Sequence, residues 1–278
     1  MPDSVLHRAL DRAQRLAARS RFAVRLAVLV RNQARCVIKY HLAESPDVNE
    51  TGEGWLREAI AHRCTRVVDV GANIGDWTAG ILEQKKGDGE FRALAFEPSQ
   101  SAAQRLQARF ASDPRVTIVE AAVGDRAGTL RFLEERDAGR GSTLVPGFAR
   151  IDGHERDVAV TTLDDALRAA GWDSADFVKI DAEGYDLRVI RGGEALLRRQ
   201  ALGVVQFEYN RPWQLAGETL SAAYALFEAC GYRVYLLKRE GLFTLDYAFY
   251  EEYFEYSNFV AIAPQWIDEL GGYVRGMI

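Results

Sequence analysis

Cysteine is scarce in this chain: the 278 residues hold three, Cys36, Cys64 and Cys230. Their number is odd, their spacing is wide and no Cys-x-x-Cys pair occurs. That argues against a disulfide framework and a zinc site, and fits a reducing cytosol. Long apolar runs are also missing. The best candidate, Phe22 to Val30, is interrupted by Arg25 and falls well short of the roughly 18–20 residues a membrane span requires. Arginines run through it and no small-residue cleavage pattern follows, so a cleaved signal is not expected either. Positive charge is not in excess over the whole chain: 35 Lys and Arg against 40 Asp and Glu give −5, which disfavours nucleic acid as the main partner. No Ser-His or Cys-His arrangement stands out, so a covalent nucleophile is not expected. What is present, 48% hydrophobic and 27% charged residues, describes a globular chain long enough for one α/β domain with appendages.

Charge is unevenly spread. Residues 1–40 hold nine Lys and Arg against Asp3 and Asp11, about +7, so subtraction from −5 leaves about −12 on the remainder. Arg8, Arg12, Arg15 and Arg19 recur at three- and four-residue spacing, with Leu6, Leu10, Ala13 and Ala17 on another face. The pattern predicts basic amphipathic helix over residues 5–40. Two readings stay open. The helix is a cap packed on the main domain with its arginines in solvent, or it makes peripheral contact with the anionic inner face of a membrane or with an acidic partner. Pro46, Asn49, Gly52 and Gly54 read as a linker, which divides the chain into a helical extension, residues 1–54, and a main domain, residues 55–278.

The main domain is organised around Arg66-Val67-Val68-Asp69-Val70-Gly71-Ala72-Asn73-Ile74-Gly75. Val67, Val68 and Val70 read as a buried parallel strand. Gly71 and Gly75 permit a sharp turn into a helix whose first amides face a ligand crevice beside Asp69. A dinucleotide fingerprint would need Gly-x-Gly-x-x-Gly, and no third glycine is present for helix packing. A pyrophosphate is therefore not the favoured guest. The next strand, Arg92 to Phe96, ends in Glu97-Pro98. Strands joined by one helix are usually neighbours, so Glu97 comes beside the Gly71 turn, where an acid grips the two hydroxyls of a ribose.

Asp69-Val70-Gly71-Ala72-Asn73-Ile74-Gly75 followed by Phe96-Glu97-Pro98 resembles the S-adenosylmethionine site of FkbM-type methyltransferases. Later stretches strengthen the likeness. Gly141-Ser142-Thr143-Leu144 is loosely similar to a Ser-Ser-Leu-like element of the family, Thr162-Leu163-Asp164 matches its Thr-Leu-Asp, and Lys179-Ile180-Asp181-Ala182-Glu183-Gly184 closely resembles its Lys-Ile-Asp-x-Glu-Gly block. The resemblance implies a class I methyltransferase fold, Rossmann-like and doubly wound, with about seven strands, the last antiparallel. It implies S-adenosylmethionine as cosubstrate and transfer of its methyl group to a hydroxyl, commonly on a sugar, glycan or glycosylated natural product. The cofactor-binding candidates are then Asp69, Gly71, Ala72, Asn73, Gly75, Glu97 and Pro98. Asp125 joins them, because in enzymes of this architecture the segment after the third strand covers the adenine; an ordinary turn is the alternative.

Lys179 and Asp181 lie on one side of a strand that is otherwise apolar, and buried charge there must meet a partner or a ligand. They are a structural ion pair, or the pair that positions and deprotonates an acceptor hydroxyl. The following strand, Val204 to Asn210, carries Glu208 near its exit. Asp181 and Glu208 on adjacent strand ends either share a proton or, with Asn210, hold Mg²⁺. Asp181, Lys179, Glu183 and Glu208 are the catalytic candidates, and no metal ligand is assigned. Glu134 to Asp157, between two strand-like runs, reads as a hairpin with a long loop facing the acceptor, in which His154 is a weaker candidate base. Two other classes stay open: a nicotinamide oxidoreductase, which would want the third glycine, and a non-catalytic S-adenosylmethionine-binding scaffold, which would lack the acids at these strand exits.

Overall fold

Apolar runs bounded by turn residues become strands buried on both faces, and their order places the site. The structure, a computed structural model, describes residues 5–42, 51–135, 142–146 and 153–278, with the side chains of residues 5 and 6 excepted. The strands are β1 Arg66–Val70, β2 Arg92–Phe96, β3 Val116–Val119, β4 Ala122–Val123, β5 Gly128–Glu135, β6 Gly153–Thr161, β7 Ala175–Ile180, β8 Leu202–Tyr209, β9 Arg233–Lys238, β10 Gly241–Thr244, β11 Ser257–Ile262 and β12 Val274–Met277. The helices used below are α1 Val5–Ala17, α2 Arg21–Leu42, α3 Glu53–Ala61, α4 Asp76–Gln84, α5 Gln100–Phe110, α6 Leu163–Ala169 and α7 Asp186–Arg191.

Nine strands form the main sheet, in the order β12-β10-β9-β11-β8-β7-β1-β2-β3. The seven from β9 to β3 are the expected doubly wound set, with β11 antiparallel to both β8 and β9. The expectation of about seven strands is corrected by β10 and β12, which extend the sheet beyond β9. They escape a sequence reading because each has only four residues, and those of β12 are mostly exposed, so neither shows the apolar run that marks a buried strand. The chain winds outward from β1 through β2 to β3, then returns to place β7 on the other side of β1. That reversal is the switch point, and the crevice beyond the carboxyl ends of β1 and β7 is where such sheets bind ligands.

Packing fixes this geometry. Every residue of β8 is buried, and Phe207 stacks on Trp213, Phe227 and Phe259. Burying one such side chain stabilises the fold by roughly 1.5–3 kcal/mol. Trp77 of α4 stacks on Phe177 of β7 with ring centroids 5.3 Å apart, which ties the helix after the glycine turn to the strand bearing Lys179. Helix starts follow local signals: the Ser99 hydroxyl accepts from Ala102 N at 3.2 Å, and that of Thr162 from Asp165 N at 3.0 Å.

The hairpin of β5 and β6 is present, with β4 added as a third strand on a small second sheet. Its core is Ala122, Phe132, Val158 and Val160. Thr143 exchanges backbone hydrogen bonds with Leu133 at 2.9 and 3.0 Å, while Gly141 lies outside the described residues.

The amino-terminal segment forms two helices. Ser20 separates them, its hydroxyl accepting from Ala23 N at 3.3 Å, so a cap signal ends one helix and starts the next. Among the described residues, the carboxyl-terminal part of α2 meets the domain: Leu42 is buried, Arg35 pairs with Glu255 at 2.9 Å, and Lys238 Nζ donates to the His41 carbonyl at 2.7 Å. Pro46 and Asn49 of the expected linker lie outside the described residues, whereas α3 opens at Glu53, inside the stretch read as linker.

Candidate active site

A cavity of about 570 Å³ opens at the switch point, within the size range of small-molecule sites. Its floor is the exit of β1. Asp69 is 1% exposed; its Oδ2 accepts from the Thr78 hydroxyl at 2.6 Å, while its buried Oδ1 has no partner. Burial pushes the Asp69 carboxyl upward, opposed chiefly by the Lys179 charge. The chain then turns through Gly71 at φ +79°, where an added Cβ would stand 1.9 Å from the Asp181 carbonyl oxygen. The glycine is thus required by the neighbouring strand exit as well as by the turn.

The turn also aims the acid of β2. Asn73, at φ +49°, donates its N–H to Glu97 Oε2 at 2.8 Å, and Ser99 N donates to Glu97 Oε1 at 2.7 Å. The carboxylate is held rigidly at the wall, and burial pushes its pKa up to about 7 despite those two amides. Gly71, Ala72, Asn73 and Pro98 line the same cavity. Two cofactor candidates do not. Gly75 is left-handed, and its missing side chain admits Leu106 and Phe110 of α5, which a Cβ would meet at 2.6 and 2.5 Å. It therefore serves the helix packing for which the sequence had offered no third glycine. Asp125 is absent from the cavity wall because its carboxylate faces Arg126 and Arg188 at 4.0 and 3.9 Å.

The second wall is made by the exits of β7 and β8. Register sets Asp69 opposite Lys179, and Lys179 Nζ donates to Asp181 Oδ2 at 3.0 Å. Burial alone would depress the Lys179 ammonium, but Asp181, Asp69 and Glu53 outweigh it and raise its pKa. Asp181 remains the open end of the pair, its side chain 37% exposed against 8% for Lys179. Glu183 follows at φ +48°, a backbone conformation costing about 1–3 kcal/mol, and its carbonyl accepts from the Thr143 hydroxyl at 2.8 Å. Burial, with Asp181 and Asp186 nearby, raises the Glu183 carboxyl to about 8. Glu208 is raised well above the ordinary carboxylate range, by burial first and then by Asp181, Glu183 and Asp186; Asn210 Nδ2 donates to its Oε1. Behind them Asp186 is fully buried, accepting from Gly184 N and Glu208 N at 3.2 Å each, and burial raises it to about 7.

The hairpin insertion closes the site. Phe132, Ser142 and Leu144 line the cavity, and the buried Glu134 anchors the hairpin by accepting from the Ser99 hydroxyl at 2.7 Å. His154 is not in the wall; its Nε2 lies 3.7 Å from Glu134 Oε2. Among the wall residues missed by sequence reasoning are Glu53, Arg57 and Tyr256. A usable signal existed for two of them, since Glu53, Leu56, Arg57 and Ile60 share one face of α3 at helical spacing, and Leu56 and Ile60 are fully buried. Among the described residues no group of three or more His, Cys, Asp or Glu is arranged to hold a metal ion. Asn210 turns its amide nitrogen toward Glu208 and donates to that carboxyl.

A profile of the methyltransferase FkbM domain matches residues 69–234, well over half of the chain, from the acid ending β1 to the start of β9. The chain belongs to the FkbM methyltransferase family. It spans little more than half the length of the curated relative that it matches. Among curated proteins, this FkbM methyltransferase is 27% identical over 147 residues to the 2-O-methyltransferase NoeI of Sinorhizobium fredii (strain NBRC 101917 / NGR234), a match spanning 48% of this chain and 59% of that protein. Among solved structures it is similar to the FkbM methyltransferase of Methylobacillus flagellatus KT, with 17% identity, a TM-score of 0.46, and 71% of this chain and 43% of that chain covered. An O-methyltransferase of Bacillus cereus in complex with SAH gives 12% identity and a TM-score of 0.42 over 83% of this chain and 87% of that one.

The residues present in this chain fit S-adenosylmethionine. The ligand offers a ribose diol, an α-ammonium, an α-carboxylate and a sulfonium. Glu97 is pre-aligned to accept from hydroxyls, and the orphaned Asp69 Oδ1 is an acceptor without a donor. Arg57 brings a cation whose buried Nε has no partner. An unpaired buried polar atom costs about 1–3 kcal/mol, which a ligand bearing the complementary groups relieves.

Proposed function

We propose that this enzyme methylates a hydroxyl oxygen of a sugar or of a sugar-bearing molecule in the cytoplasm. Glu97 would hold the ribose, Asp69 and the Gly71–Asn73 turn would flank the amino-acid portion, and Arg57 would hold its carboxylate. S-adenosylmethionine supplies an electrophilic methyl group and leaves as S-adenosylhomocysteine. This chain aligns the acceptor oxygen with that methyl group and removes the hydroxyl proton as the new C–O bond forms. The proton goes to Asp181, the open end of the Lys179–Asp181 pair, while Lys179 compensates charge at the carboxylate. Glu183, raised by burial to about 8, is protonated near neutral pH and acts as a hydrogen-bond donor toward a neighbouring acceptor hydroxyl, and burial raises Glu208 in the same direction.

The observation that carries this reading is the carboxyl-rich wall at the exits of β7 and β8, in the same cavity as Glu97. A scaffold that only bound S-adenosylmethionine would have no use for these buried acids. The 2-O-methyltransferase relative supports hydroxyl oxygen as the target, and three free cysteines, Cys36 exposed among them, support a reducing compartment. The test is formation of S-adenosylhomocysteine in the presence of pooled mono- and oligosaccharides. Turnover should depend on added saccharide, and Asp181→Asn should lower it by about 10²–10⁴-fold with affinity for S-adenosylhomocysteine held within a few-fold. Saccharide-independent turnover, or a fully active Asp181→Asn, defeats the assignment.

A further inference from the structure

The amino-terminal helices present an apolar face that the rest of the molecule leaves bare. On α2, Phe22, Leu26, Leu29, Val30, Val37 and Tyr40 are all exposed, Phe22 by 77% and Val37 by 70%. At helical spacing they share one stripe about 100° wide. Arg35, Ile38 and Leu42, which attach the helix to the domain, occupy the opposite side. On α1, Leu10 is exposed and lies opposite the face of Arg8, Arg12 and Arg15, while the exposed Leu16 borders that face. Single exposed apolar residues such as Val24 and Val28 need no explanation, but six large apolar side chains along one stripe of a helix are a surface built for something.

Charge selects the occupant. The segment of residues 1–40 carries about +7 while the remainder carries about −12. A second copy of this face would bring two strongly cationic segments together, whereas an anionic surface attracts the helices and repels the domain. Such a surface therefore orients the molecule as well as binding it. No described helix is long and apolar enough to cross a membrane, so these helices suit the boundary of a bilayer and not its interior. An apolar stripe, arginines beside it and modest overall hydrophobicity are the properties of a helix lying in the headgroup region.

We propose that α1 and α2 dock this methyltransferase onto the surface of an anionic membrane. Phe22, Leu26, Leu29, Val30, Val37 and Tyr40 enter the headgroup–acyl boundary, and the arginines meet lipid phosphates. The docked helix is tied through Arg35 to Glu255, the neighbour of Tyr256 in the cavity wall.

The test is sedimentation of the full chain with vesicles of phosphatidylcholine alone and of phosphatidylcholine containing one-third phosphatidylglycerol. The chain should partition onto the anionic vesicles and be released as salt rises. Phe22→Ser with Leu29→Ser should lower partition at least ten-fold with every charge kept, and Arg12→Gln, Arg15→Gln, Arg19→Gln and Arg25→Gln should each lower it about five-fold. S-adenosylhomocysteine binding, unchanged in all variants, reports that the domain is folded. Should the serine variant precipitate, Val30→Gln with Val37→Gln takes its place. Equal partition onto both vesicle types, or undiminished sedimentation of the apolar-face variants, overturns the proposal. So does light scattering that shows a dimer in solution which those variants split, since the face would then belong to a second copy.

Discussion

Glu97 should make cosubstrate affinity depend on pH near neutrality, because the carboxyl titrates at about 7 in the empty site and is needed ionised in the filled one. Ribose hydroxyls donate to a carboxylate, so binding favours the charged form. With a pKa of about 7, roughly one site in ten is ionised at pH 6 and nearly all at pH 8. Affinity for S-adenosylhomocysteine should therefore rise about ten-fold from pH 6 to pH 8, equivalent to roughly 1.4 kcal/mol. Binding at pH 6 should release nearly one proton per site, measured by calorimetry in buffers of different ionisation heat. Because Glu183 and Asp186 also titrate in this range, Glu97→Gln is the necessary comparison. It should flatten the pH dependence and weaken binding at pH 8 by about 10–100-fold, the range for a hydrogen bond to a charged group. The apo protein has the opposite sensitivity. A carboxyl raised from 4.5 to about 7 by folding keeps its proton in the folded state after the unfolded chain has lost it. Its contribution to stability therefore falls as pH rises through that window. A flat affinity profile with no proton release, in a wild-type protein that still binds, would refute this account of Glu97.

Arg57→Gln should weaken S-adenosylhomocysteine binding by about 10–100-fold and leave 5′-methylthioadenosine, which lacks the amino-acid portion, bound as in the wild type; parallel loss of both would place Arg57 elsewhere in the recognition. Gly71→Ala should destabilise the protein far more than Gly87→Ala, compared by urea midpoints. Both glycines have φ near +80°, but a Cβ at position 71 meets the Asp181 carbonyl oxygen at 1.9 Å and one at position 87 meets nothing within 4 Å, so the control carries only the roughly 1–2 kcal/mol of left-handed strain. Asp181→Asn should retain its defect whether or not chelator is present, in steady-state assays with saccharide acceptor; restoration by added Mg²⁺ would reopen a metal role.

The strands that hold the site were legible because burial on both faces leaves them as unbroken apolar runs, and a charge within such a run is conspicuous. Lys179 stood out for that reason. Ser99 and Thr162 start helices through chemistry confined to four residues, each hydroxyl accepting from the amide three residues on. Edge strands gave no comparable sign: β12 is mostly exposed, and its pairing with β10 joins segments about thirty residues apart. Glu53 and Arg57 were overlooked for a different reason, although their helical spacing with Leu56 and Ile60 carried a signal. Near a helix start an acid is ordinary, and only the burial of Leu56 and Ile60 on the same face turns that acid and its neighbour inward. Asp125 shows the reverse failure, a residue type suited to ligand contact that two arginines draw away from the cavity.

The close passage of the Gly71 turn past the Asp181 carbonyl makes the two halves of the site one steric unit. For recombination between relatives this has a practical meaning. A segment carrying a bulkier residue at position 71 forces the β7 exit outward and carries Lys179, Asp181 and Glu183 with it, so a chimera joined between these points inherits a mismatch even when each parental half is sound. Productive crossovers should fall before residue 71 or after residue 183, and substitutions at either contact should be tolerated only as a pair.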